Sequence, residues 1–112
     1  MVFVAAWARA FLLTCVVELL VALPLLGTKA SPGRRLAAVL FAQLASHPAV
    51  WFVFPELRLG RTGYLVSAEL WAVLIEMALY RVVFTELSWS RALGVAALAN
   101  GASFGVGLLL KL

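Results

Sequence analysis

The chain has 112 residues, of which 65% are apolar and 12% charged, with a formal net charge of +4. Soluble domains are about 25% charged. With so few charges and a mean hydropathy of +1.07, this chain cannot cover a water-facing surface, and disorder, which needs low hydropathy and high charge, is excluded as well. One cysteine removes a disulfide framework and any Cys-based zinc site. The composition is that of a small, all-α, polytopic integral membrane protein. Its basic residues do not point to nucleic acid, because they stand at the ends of apolar runs, where they face lipid headgroups and set orientation.

A bilayer core about 30 Å thick requires roughly 20 mainly apolar residues per helix. Four runs meet that length and predict a single transmembrane domain over residues 1–112, an up-down four-helix bundle with short loops. The first helix, about 3–26, carries Arg9 and Glu18, and Gly27 ends it. It lacks the basic start of a signal peptide, so it is expected to stay attached. Ser31-Pro32 then reads as an N-cap and a first helical residue. The second helix, about 36–54, has no formal charge but carries Gln43, Ser46 and His47-Pro48 before Pro55 closes it. Pro48 withholds the N–H that would reach the Leu44 carbonyl, and Gln43 or Ser46 is the expected substitute donor.

The third helix, about 64–84 after Thr62-Gly63, contains Glu69, Glu76 and Arg81. Ser88 or Ser90 caps the fourth, about 92–110, which carries Asn100, Ser103 and the Gly94, Gly101 and Gly105 stripe. That stripe contains a GxxxG match and predicts close helix packing, either within the chain or against another subunit. Trp7, Trp51, Tyr64, Tyr80 and Trp89 fall towards helix ends and suit interfacial aromatic belts. Loops one and three, with Lys29, Arg34, Arg35, Arg81 and Arg91, carry one more positive residue than the other side, with Arg9, Arg58, Arg61 and Lys111. They are expected to be cytoplasmic.

The polar residues in mid-helix carry the functional signal. An acidic residue at the centre of a membrane helix costs about 2.5–3.5 kcal/mol even on the mild insertion scale, so such residues turn inward and mark function. At about 100° per residue, Glu69, Glu76 and Tyr80 share one stripe of the third helix, and Gln43 and His47 stack on the second. Asn100 and Ser103 lie on one side of the fourth, and Glu18 shares its stripe with Thr14. Each helix therefore offers one polar face. Glu18, Gln43, His47, Glu69, Glu76, Asn100 and Ser103 are expected to enclose a site, with Glu76 as the main proton or ion carrier. Neither Arg9 nor Arg81 points at the carboxyl stripes. The acids must be neutral, or paired with His47, a bound cation or a second chain. His47 and Glu76 are the candidates if a metal is bound, since imidazole with carboxylate suits Zn or Mn.

Four helices, about 110 residues and a first-helix Glu18 resemble, in architecture only, the small multidrug resistance transporters, in which a membrane Glu exchanges protons for cations. Glu18 would be the counterpart. The His47-Pro48 pair, the Glu69/Glu76 pair and Asn100-x-x-Ser103 resemble motifs of small uncharacterised four-helix bacterial membrane proteins, a resemblance that implies no activity. The expected function is proton- or cation-coupled transport in a bacterial inner membrane. The alternative is an accessory or assembly subunit of a larger membrane complex, whose carboxyl groups meet a partner chain. Homo-oligomers or other membrane subunits, together with the lipid bilayer, are the expected partners. No nucleophile–base pair or metal triad stands out, so the pattern does not point to an enzyme, and it identifies no cofactor.

Overall fold

Chain punctuation decides where the helices begin and end. A computed structural model describes residues 2–27 and 29–110. It contains α1 (Val2–Leu25), α2 (Pro32–Phe52), α3 (Gly60–Val83) and α4 (Trp89–Leu109), with a 3₁₀ turn at Phe54–Leu57. Ser31 is the N-cap of α2 and accepts the Arg34 N–H at 3.2 Å, with Pro32 at the first helical position. Ser88 does the same for α4 through Arg91 N–H at 3.1 Å. Gly27 follows α1 with φ +89, a left-handed conformation that only glycine takes cheaply.

The expected limits shift at several ends. Helices α2, α3 and α4 begin up to four residues earlier than expected; in α2 and α4 this is because the capping residues Ser31 and Ser88 start the helix before its apolar run does, whereas α3 starts at Gly60 without a side-chain cap. Thr62-Gly63 lies inside α3 rather than before it. The second helix ends at Phe52, and Pro55 sits within the 3₁₀ turn. Proline fixes φ near −65°, which that turn accepts.

The helices are arranged as a square in chain order. Each packs on two neighbours, α4 closing against α1, and the backbones of the diagonal pairs α1–α3 and α2–α4 do not approach one another. Short connections make neighbours antiparallel. Loops one and three lie at one end of the molecule, and the Phe54–Leu57 turn lies at the other with the start of α1 and the end of α4. The molecule is 40 Å long and about 22–23 Å across.

Three helical segments are long and apolar enough to cross a membrane: Val2–Leu25, Pro32–Leu57 and Trp89–Leu109. Helix α3 has the length, at 24 residues, but carries both Glu69 and Glu76 in its span. The distribution of side chains is inverted relative to a soluble protein. Leu12, Leu20, Phe41, Leu44, Leu70 and Leu98 face outwards. Glu18, Gln43, Ser46 and Glu76 are among the largest fully buried side chains.

The two halves of the interior differ. Towards loops one and three the axis is filled by Ala22, Leu26, Val39, Tyr80, Phe84 and Val95. Alanines at Ala38, Ala42, Ala92 and Ala99 let the backbones approach there. Three arginines close this end. Arg35 donates to the Leu23 carbonyl at 2.8 Å, Arg91 to Leu25 at 3.0 Å and Arg34 to Val83. These are carbonyls from the last turns of α1 and α3, which have no partner within their own helices. The basic cluster read as a headgroup contact is thus also a set of C-terminal caps. The other half of the interior is open.

Candidate functional site

Where the packed half ends, the interior becomes polar. Glu76 lies at the boundary with 0% exposure, and side chains from three helices converge on it. Asn100 Nδ2 of α4 donates to Oε2 at 2.7 Å. Gln43 Nε2 of α2 and the Tyr80 hydroxyl of α3 donate to Oε1 at 3.4 and 3.3 Å. Tyr80, expected in an interfacial belt, is instead fully buried. It stands four residues after Glu76 on the same helical face, and that spacing was the signal for this role.

Glu18 faces Glu76 across the diagonal, its carboxyl within hydrogen-bonding range of the other. Its Oε2 accepts from Ser103 Oγ at 3.4 Å. Its Oε1 is buried and has no hydrogen-bond partner. Placing one proton on Glu18 Oε1 completes the hydrogen bonding of both acids. Glu18 then donates to Glu76 and accepts from Ser103, while Glu76 accepts throughout. Two carboxyl groups held this close share a proton rather than both ionising.

Above this pair a cavity of about 240 Å³ extends towards the end opposite the arginine caps. Glu18, Gln43, Ser46, Asn100 and Ser103 border it on the inner side, and Trp51, Tyr64 and Leu108 towards the mouth. Polar lining and this volume leave room for several waters. Glu69, about two turns from Glu76, lines the cavity nearer the mouth and is half-buried.

His47 lines the same wall but does not join the carboxyl pair. Its Nδ1 accepts the Trp7 indole N–H at 3.2 Å, and Nε2 lies 3.5 Å from the Thr14 hydroxyl. A ring nitrogen that accepts is unprotonated, so the proton of the neutral ring is on Nε2. Trp7 therefore holds His47 in the cavity wall, a role that its place near a helix end concealed. Neither proposed substitute reaches the Leu44 carbonyl freed by Pro48. Ser46 donates to Ala42 at 2.8 Å, and Gln43 is committed to Glu76. Among the described residues no three His, Cys, Asp or Glu side chains gather as a metal site.

No protein-family model, curated protein or solved structure matches the chain. The reading of this site therefore rests on its own geometry. Five of the seven expected residues, Glu18, Gln43, Glu76, Asn100 and Ser103, form one hydrogen-bonded group. His47 and Glu69 line the cavity above it. The glycine stripe takes no part, since a Cβ at Gly94, Gly101 or Gly105 would meet nothing within 4 Å. The stripe is not a close packing seam within the chain.

Proposed function

We propose that all four helices span a bacterial inner membrane and that the protein couples the movement of protons to that of a cation through Glu18 and Glu76. The observation that carries this reading is the carboxyl pair at the floor of a cavity that opens towards one end. A group that exchanges protons must be reachable from water, yet a path open at both ends would leak. The packed half around Tyr80 and Phe84 supplies the barrier, and the cavity supplies the access.

The geometry favours Glu18 over Glu76 as the carrier. Glu76 is fixed by three donors, whereas Glu18 is held by Ser103 and by its partner acid. The 40 Å length of the bundle suits a bilayer with its interfaces, and the outward Leu, Val and Phe side chains suit lipid. Both buried acids are turned to the axis, which supports transport over an accessory subunit that would use them to meet another chain. The chain is further proposed to form a homo-oligomer, with the outer face of α4 around Gly101 as the seam.

The test is proton flux. Wild-type protein in liposomes containing a pH-sensitive dye should move protons when a monovalent-cation gradient is imposed. Glu18→Gln, with assembly intact, should not. Correctly assembled wild-type protein that moves no protons under any such gradient would sink the proposal.

A further inference from the structure

We infer that the floor of the cavity binds one monovalent metal cation of the sodium class, held by the oxygens of Glu18, Ser46, Asn100 and Ser103; this deepens, and rests on, the transport reading of the same site. The first argument is charge. With the shared proton on Glu18, the pair retains one negative charge on Glu76. Among the described residues no Lys or Arg side chain lines the cavity. The His47 ring does not supply the missing charge, because Nδ1 accepts from Trp7. A buried charge without a partner is strongly disfavoured, so a single positive ion at the cavity floor completes the site.

The second argument is the chemistry of the available atoms. Both N–H groups of the Asn100 amide are used, towards Glu76 at 2.7 Å and the Ala96 carbonyl at 2.8 Å, which leaves Oδ1 free to accept. Ser46 spends its proton on the Ala42 carbonyl, and Ser103 spends its own on Glu18 or on the Asn100 carbonyl at 3.1 Å. Both hydroxyl oxygens keep lone pairs. Glu18 Oε1 is buried and has no hydrogen-bond partner within the protein. These are four hard oxygen atoms from three helices, with one formal negative charge beside them. Hard, weakly polarising cations select such a set. An alkali ion does not require the His/Cys/carboxylate triad that transition metals use. The rings that would hold the body of an organic ammonium, Trp51 and Tyr64, stand at the mouth. Waters in the cavity complete the coordination.

The experiment is binding of radioactive sodium to the purified full-length protein in mild detergent. Saturable binding of one ion per chain is expected. Unlabelled sodium should displace it, and methylammonium or choline at the same concentration should not. Glu18→Gln should abolish binding, and Ser103→Ala, a smaller change, should weaken it several-fold with helix content unchanged. No saturable binding by folded wild-type protein overturns the inference, as does equal displacement by methylammonium or undiminished binding in both variants. Sodium binding without proton flux would sink the transport reading and leave this site. Cation-driven proton flux without sodium binding would do the reverse.

Discussion

Glu18 and Glu76 are the same residue type at the same depth, and their surroundings give them different work. Glu76 receives Asn100, Gln43 and Tyr80, all donors, so an acceptor-only carboxylate fits it. Replacing it with Gln turns an N–H₂ group towards at least one of those donors. A buried donor left unsatisfied costs about 1–3 kcal/mol. Glu18→Gln keeps its pattern, because the amide N–H₂ donates to Glu76 as the acid proton did and the amide oxygen accepts from Ser103. Thermal unfolding in detergent should therefore rank Glu76→Gln below Glu18→Gln, by about 1–3 kcal/mol. Equal stability would show that the two acids do not divide donor and acceptor roles in this way. His47→Phe should leave the carboxyl group in place, yet remove the acceptor that holds the Trp7 indole. Its signature is altered Trp fluorescence with helix content unchanged, and an unaltered spectrum would refute the Trp7–His47 bond.

Helix ends do more than connect. In α1 the Leu26 N–H bonds the Ala22 carbonyl, but the Leu23 and Leu25 carbonyls rely on Arg35 and Arg91 from the starts of α2 and α4. Each cap ties the end of one helix to the start of a neighbour. Arg35 is half-buried and Arg91 exposed, so the first bond is better shielded from water. Arg35→Ala should cost about 1–2 kcal/mol and Arg91→Ala less than about 1 kcal/mol, as hydrogen bonds to charged groups weaken with exposure. Hydrogen exchange should rise at the last turn of α1 in the first variant. Exchange unchanged there would remove the capping role. The glycine stripe of α4 belongs to the same scale. Space is open outside Gly101, so Gly101→Leu meets no obstacle within the chain. Any loss of oligomer in that variant reports a contact between chains, whereas an oligomer that survives it places the seam elsewhere.

At the scale of the molecule, one end is capped by arginines and packed with Tyr80 and Phe84, and the other opens into a polar cavity. The positive-inside rule predicts from the loop charges that the capped end is cytoplasmic, in which case the cavity faces outwards. Single cysteines in a Cys15→Ser background test both statements. Cysteine at Ser31 should react with an impermeant thiol reagent only after permeabilisation. Cysteine at Arg58, in the opposite turn, and at Ser103, at the cavity floor, should react in intact cells. Reaction of Ser31→Cys from outside would invert the orientation. A Ser103→Cys that reacts from the same side as Ser31→Cys would place the access path through the packed half.

The sequence by itself determined the helical class, the number of helices, the cap at Ser31, a serine cap for α4 at Ser88 or Ser90, and the inward faces. These follow from local rules: a run length, a 100° period, a capping side chain, and the cost of a charge in an apolar span. The same period placed Glu18, Gln43, Glu76, Asn100 and Ser103 on inward stripes before any contact was known. It could not say which side chains meet, because periodicity fixes a direction about a helix axis but not the rotation and depth of one helix against another. Only the tertiary structure brought Gln43 and Asn100 to Glu76, bound His47 to Trp7 instead of an acid, and turned the Gly101 face outwards. It alone left half of the interior open, because filling or emptying the axis depends on four helices packing at once.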